Sequence, residues 1–181
     1  MTNLFKFSLY KKLILKYCGY PKSILDVGCG KDKELEKYFT SSDYRGIDKV
    51  FGDDIERLSI VKEHDLVVFS EVLEHLPNLH ILLPKAKHYF IVFPNTYNLL
   101  ARFKFLFGRT IDNNALTDKD KHFHYPTLKR IDEFVRYNWK VVHKSYFSDN
   151  FFLPDNFLTW LANLCPSIFS RGVIYICQNL A

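Results

Sequence analysis

The chain of 181 residues has four cysteines, Cys18, Cys29, Cys165 and Cys177, and no two of them form a C-x-x-C pair. That spacing argues against a zinc ribbon or a disulfide framework and predicts the reduced, buried thiols of a cytoplasmic protein. No uncharged apolar run reaches 18 residues, so no transmembrane helix is expected. No block of five or six like charges occurs, so there is no basic tail and no nucleic-acid partner is expected. The opening MTNLFKFSLYKKLILKY alternates apolar residues with lysine and lacks a signal-peptide cleavage pattern. Internal repeats, low-complexity tracts and Gly/Ser linkers are all missing, which predicts one domain over residues 1–181.

What is present is ordinary globular composition, 48% hydrophobic and 25% charged, on a chain long enough to bury a core without staples. Aromatic residues stand high at 17%, and seventeen Phe against a single Met point to aromatic core filling with a surplus for an apolar pocket. The formal charge of +5 permits an anionic partner or peripheral contact with a membrane surface, without requiring either. Oligomeric state is not legible.

Leu4, Phe5, Leu9, Leu13, Ile14 and Tyr17 recur at helical spacing and predict an opening amphipathic helix, ended by Gly19, Tyr20 and Pro21. Strands are predicted at Ser23–Val27, Tyr44–Asp48, Asp65–Phe69, His88–Phe93, Trp139–Phe147 and Val173–Cys177. Helices are predicted at Lys31–Phe39, around Glu71–Leu76, over Leu79–Lys87, at Leu99–Phe107 and at Thr127–Tyr137, with partial helix in the aromatic stretch Phe151–Phe169. Gly108–Tyr125 reads as a loop. Strands alternating with helices imply an α/β fold with a mostly parallel sheet covered on both faces. Ligands of such sheets bind at the carboxyl ends of the strands, where strand order reverses. The chemistry is therefore expected just after Val27, Ile47, Phe69 and Phe93.

Asp26-Val27-Gly28-Cys29-Gly30 follows the first strand, and its glycines let backbone approach a ligand closely. A helix beginning there would offer unpaired N–H groups to a carboxylate or phosphate. Asp48, 22 residues after Asp26 and at the end of the second strand, is placed to accept hydroxyl protons from a ribose. In Gly52-Asp53-Asp54-Ile55 a carboxylate beside an apolar side chain suits an adenine ring, and a solvated turn would account for the same residues.

Taken in order, ILDVGCG, YRGID, GDDIERL, DLVVFSEVLEHLP and FIVFPN resemble the class I S-adenosylmethionine-dependent methyltransferases, in their compact small-molecule branch. With the later GR…KHFHYPTLKRIDEF, the resemblance spans about residues 22–147. It implies a Rossmann-like three-layer sandwich with a mostly parallel sheet and a C-terminal antiparallel strand, and S-adenosylmethionine as cofactor. Residues 1–93 would form the cofactor half and 94–181 the acceptor side. By position, Asp26, Gly28 and Gly30 would line the methionine moiety, and Asp48 would hold the ribose. Asp54 and Ile55 would flank the adenine, with Asp53 as the other choice of acid. Ser70 and Glu71 would close the floor near the sulfonium. The chain departs from the family pattern in carrying Asp32 where a third Gly is common, and in the short segment from Asp48 to Asp54, which leaves little room for the usual helix and edge strand.

A nicotinamide-dependent oxidoreductase is the weaker reading, because Lys33 stands where its fingerprint needs a third Gly. A non-catalytic cofactor-binding subunit is the other alternative. On the acceptor side, Glu74, His75, Asn95, His122, His124 and Tyr125 follow the predicted strands, and His75 and His122 are the catalytic candidates. His122-Phe123-His124 lacks a well-spaced third ligand, so no metal is expected. The expected reaction is methyl transfer to O or N of a small biosynthetic metabolite, apolar or anionic in character. The stretch Asn98–Tyr125, apolar with Arg102, Lys104 and Arg109, is expected to cover that acceptor.

Overall fold

A computed structural model describes residues 3–53, 62–76, 84–108, 124, 126–148 and 155–180, with side chains of 3–5 and 155–159 excepted. In chain order these form α1 (Asn3–Cys18), β1 (Ser23–Val27), β2 (Asp43–Ile47), β3 (His64–Ser70), β4 (Ala86–Pro94), α2 (Leu99–Leu106), α3 (Leu128–Asn138), β5 (Trp139–Phe147), α4 (Asp155–Leu164), α5 (Pro166–Phe169) and β6 (Gly172–Asn179). The strands make one sheet in the order β2-β1-β3-β4-β6-β5. β1 to β4 pair in parallel, and β6 runs antiparallel to both β4 and β5. This is the expected Rossmann-like sandwich with a C-terminal antiparallel strand.

The short apolar runs become central strands because both of their faces are covered. On one face Leu25, Val27, Val67, Phe69 and Ile91 pack with Ile131 and Val135 of α3. On the other, Ile24, Leu66, Val68 and Phe90 pack with Tyr10 and Ile14 of α1. α3 starts where the Thr127 hydroxyl accepts the Arg130 N–H at 3.4 Å, and it stops where Trp139 turns extended and enters β5. The order reverses between β1 and β3, so the crevice at their carboxyl ends is the fold's natural binding position.

Several expected elements differ. Lys31–Phe39 is not a continuous helix: Lys33 takes a left-handed backbone (φ +43°), and only a 3₁₀ turn at Glu36–Tyr38 follows. Glu71–Leu76 likewise yields one 3₁₀ turn, Leu73–His75, because Glu71 is left-handed (φ +56°). Of the helix expected over Leu79–Lys87, Ala86 and Lys87 belong to β4, where pairing with β3 overrides local helical character, and 79–83 lie outside the described residues. Cys177 is buried as expected, whereas Cys165 is exposed at the break between α4 and α5. After β2 the chain makes only a 3₁₀ turn, Lys49–Phe51, closed by left-handed Gly52 (φ +80°). Among the described residues β2 is an edge strand, as the short segment after Asp48 suggested.

The start of β6 is packed to the limit. A Cβ on Gly172 would stand 2.5 Å from Phe147 Cζ and 2.6 Å from the Phe93 carbonyl oxygen, which the β4–β6 ladder holds in place. Gly172→Ala is predicted to cost about 1–3 kcal/mol, as overpacking does. Urea unfolding would show this as a lower midpoint at unchanged slope. An unchanged midpoint would mean that the junction relaxes freely.

Candidate active site

The sheet's carboxyl edge is built by two loops in contact. At the end of β1, Gly28 is left-handed (φ +74°) and donates its N–H to the Ile47 carbonyl at 2.8 Å. A Cβ there would lie 2.8 Å from Cγ2 of Val72, in the loop after β3. Gly30 is also left-handed (φ +68°), but among the described residues nothing stands within 4 Å of where its Cβ would be. One glycine lets the loops touch, and the other leaves open space beside backbone.

Asp48 links this loop to β2. Its Oδ2 accepts the Gly30 N–H at 2.8 Å and its Oδ1 accepts the Val50 N–H at 3.0 Å. Its own N–H donates to Asp53 Oδ2 at 3.3 Å. A carboxylate offers about four lone-pair sites, so each Asp48 oxygen keeps capacity for a hydroxyl donor. Val50 and Phe51, just beyond, expose apolar surface, and Lys33 Nζ lies 4.8 Å from the Phe51 ring centroid. Sequence reasoning passed over these two residues, and the only signal for them was their position after the strand-end acid.

Asp26 is buried, with Tyr44 Oη donating to its Oδ2 at 2.5 Å. Burial pushes its carboxyl up to about 7, and the neighbouring Asp48 charge adds to the rise while the Tyr44 bond opposes it. Past β3, Ser70 Oγ lies 3.2 Å from Tyr10 Oη, and Glu71 Oε2 pairs with Lys6 Nζ at 3.0 Å. Helix α1 therefore reaches over the end of β3.

Asp26, Gly28, Gly30, Asp48, Ser70 and Glu71 are thus brought to one edge of the sheet. His75 is half-buried in the turn that follows, its N–H donating to the Val72 carbonyl at 3.0 Å. Asp54, Ile55 and His122 lie outside the described residues. Asn95 is committed to structure: its Nδ2 donates to the Ser170 and Pro166 carbonyls at 2.9 and 3.1 Å.

Glu74, one of the acceptor-side candidates, is set apart by its burial. It is only 2% exposed, yet among the described residues neither carboxyl oxygen has a hydrogen-bond partner. Burial pushes its carboxyl up to about 8, and the Glu71 charge pushes the same way. Its backbone carbonyl accepts the His124 N–H at 3.2 Å, and His124 Nε2 is likewise buried with no partner among the described residues. Among the described residues, no group of three or more His, Cys, Asp or Glu side chains is placed to hold a metal ion.

A family model described as "methyltransferase domain" matches residues 5–144. No curated protein matches the chain. Among solved structures, the chain is similar to a SAM-dependent methyltransferase from Archaeoglobus fulgidus, with TM-score 0.54 and 17% identity over 96% of this chain and 94% of that one. It is similar to the N-methyltransferase NodS from Bradyrhizobium japonicum WM9, with TM-score 0.57 and 14% identity over 99% of both chains. The small RNA methyltransferase HEN1 shares the fold at TM-score 0.65 and 13% identity, over 98% of this chain but 25% of that one. The chain belongs to the methyltransferase-domain family. It is an enzyme of that class, and S-adenosylmethionine is the cofactor that membership implies.

Unpartnered buried acids have a measurable consequence. A carboxyl whose pKa is raised on folding contributes stability that is full below its unfolded value and is lost as pH rises through its folded value. For Glu74 that window runs from 4.5 to about 8. Melting temperature should therefore fall across this window, and Glu74→Gln, which stays neutral, should fall less. Parallel curves for the two proteins would contradict the buried, unpaired state of Glu74.

Proposed function

We propose that this member of the methyltransferase-domain family binds S-adenosylmethionine across the carboxyl ends of β1 and β3. Asp26, Gly28 and Gly30 face the methionine moiety, and Asp48 takes the ribose hydroxyls. The observation that carries this reading is Asp48 itself, held by the Gly30 and Val50 N–H groups with acceptor capacity to spare. The open space at Gly30 fits a ligand lying against that backbone. Asp54 and Ile55 flank the adenine, together with the exposed surface of Val50 and Phe51. Ser70 and Glu71 close the floor beside the sulfonium, braced by Tyr10 and Lys6.

When bound, the cofactor supplies an electrophilic methyl group on sulfur. The protein's share is alignment of an acceptor atom and exclusion of water. An O–H or N–H acceptor must also lose its proton, and we assign that to the turn after β3, where His75 and the Glu74 carboxylate stand, with His122 as the further candidate base. Ionised Glu74 accepts the proton at a carboxyl oxygen. Its raised pKa makes transfer rise with pH towards about 8. The acceptor is a small metabolite bearing O or N, with residues 94–181 forming its side of the pocket. A nitrogen acceptor is in keeping with the fold-level likeness to an N-methyltransferase. The absence of any block of like charges favours a small acceptor over RNA.

Isothermal calorimetry tests the cofactor assignment. S-adenosylhomocysteine should bind and NAD should not. Asp48→Ala should lose roughly ten- to a hundred-fold in affinity, the equivalent of about 1.5–3 kcal/mol for charge-assisted bonds, while the fold survives. No binding by the parent protein at millimolar nucleoside would contradict the cofactor assignment. Unchanged affinity in the variant would place the ribose elsewhere.

A further inference from the structure

Helix α2 leaves the same sheet edge that carries the candidate site, and it is built the wrong way round for a helix of a water-soluble surface. Of its residues only Ala101 is buried. Leu100, Phe103, Phe105 and Leu106 are exposed, as is Phe107 at its end; Leu106 and Phe107 are each 79% exposed. The base of the helix is nevertheless firmly fixed. Asn98 Oδ1 accepts the Ala101 N–H and Asn98 Nδ2 donates to the Asn95 carbonyl, both at 3.0 Å. Arg102 Nε donates to the Tyr97 carbonyl at 2.9 Å, and Arg102 Nη2 reaches the Ser167 carbonyl of α5 at 3.4 Å. That last bond sets α2 beside α5, and α4, which packs against α5, exposes Trp160 and Leu164 as well. An apolar area rigidly presented on two neighbouring helices is a contact surface rather than scattered surface residues.

Charge selects the occupant. From Asn95 to Gly108 the sequence has Arg102 and Lys104 and no acidic residue, and from α4 to Arg171 the one acid is Asp155, at the first position of α4. The whole chain carries a formal charge of +5. Exposed Leu and Phe combined with Lys and Arg, and with a Trp on the adjoining helix, is the composition of an element that lies in the interface of an anionic membrane. We propose that α2 and α4 form a docking face for anionic lipid bilayers, which turns the carboxyl edge of the sheet towards the membrane surface. No residue of this face belongs to the proposed cofactor cradle, so the docking face and the cofactor assignment stand or fall separately.

The test is co-sedimentation of the full chain with vesicles of phosphatidylcholine alone and of phosphatidylcholine with phosphatidylglycerol. The protein should pellet with the anionic vesicles and not with the neutral ones, and added salt should weaken the binding. A double variant, Leu106→Ser with Phe107→Ser, alters two side chains that are mostly in solvent and should keep the parent circular dichroism and melting temperature. It should lose at least about ten-fold in vesicle affinity, given the apolar area removed, while calorimetry with S-adenosylhomocysteine gives the parent result. Failure to bind anionic vesicles would overturn the proposal, as would equal binding by the double variant. So would a dimer in sedimentation velocity that the double variant dissociates, since a second copy would then occupy the face.

Discussion

The absence of a side chain at residue 28 is the constraint on which the sheet's carboxyl edge depends. Parallel pairing of β1 with both β2 and β3 forces the loops that leave these strands into one narrow space. With Gly28 turned left-handed, the β1 loop lies against Val72 and still gives its N–H to Ile47, so three strand ends are tied at one point. Gly30 can then face open space with its N–H on Asp48. Any other residue at 28 would meet both the left-handed penalty and the Val72 methyl.

That edge is also where the fold tolerates unfavourable electrostatics. Asp26 and Glu74 are acids taken out of water, the first relieved by a short bond from Tyr44 and the second by no partner among the described residues. Burial of this kind disfavours the charged form and costs stability at neutral pH. Acids held in such a state cluster where a ligand supplies the missing partner. Glu71, which is left-handed and paired with Lys6, adds backbone strain at the same place. Elsewhere the two clusters that cover the sheet are apolar, and His64 at the start of β3 is a further buried side chain with no hydrogen-bond partner among the described residues.

The strands were legible from sequence because continuous apolar runs bounded by Gly, Pro and Asp have little alternative in a chain of this length. All six expected strands form: β1 and β5 at the expected bounds, β2 one residue earlier, and β3, β4 and β6 longer by one or two residues at each end, where ladder bonds extend them. The helices read less well. Lys31–Phe39 has helical composition, but left-handed Lys33 breaks it, and a non-glycine residue with positive φ leaves no sequence signal. The acids at Asp26 and Asp48 were legible because they sit at strand ends with fixed spacing. Glu74 was a candidate by position but its burial was not legible, because a charged residue in an expected helix reads as solvated; the burial follows from Leu73 and Leu76 packing into the core on either side. Val50 and Phe51 were missed for the opposite reason, since apolar residues in a short turn read as core and here lie exposed.

We propose that one crevice, between the ends of β1 and β3, grips the cofactor with backbone and acids contributed by three loops. Hydrogen–deuterium exchange of the full chain with and without saturating S-adenosylhomocysteine tests it most directly, because exchange reports local opening peptide by peptide. The account predicts slowed exchange in peptides covering 26–30, 48–53 and 70–76 together, with the β5–β6 pairing unchanged. Protection confined to residues outside these three loops, or absent from the 26–30 peptide, would contradict it.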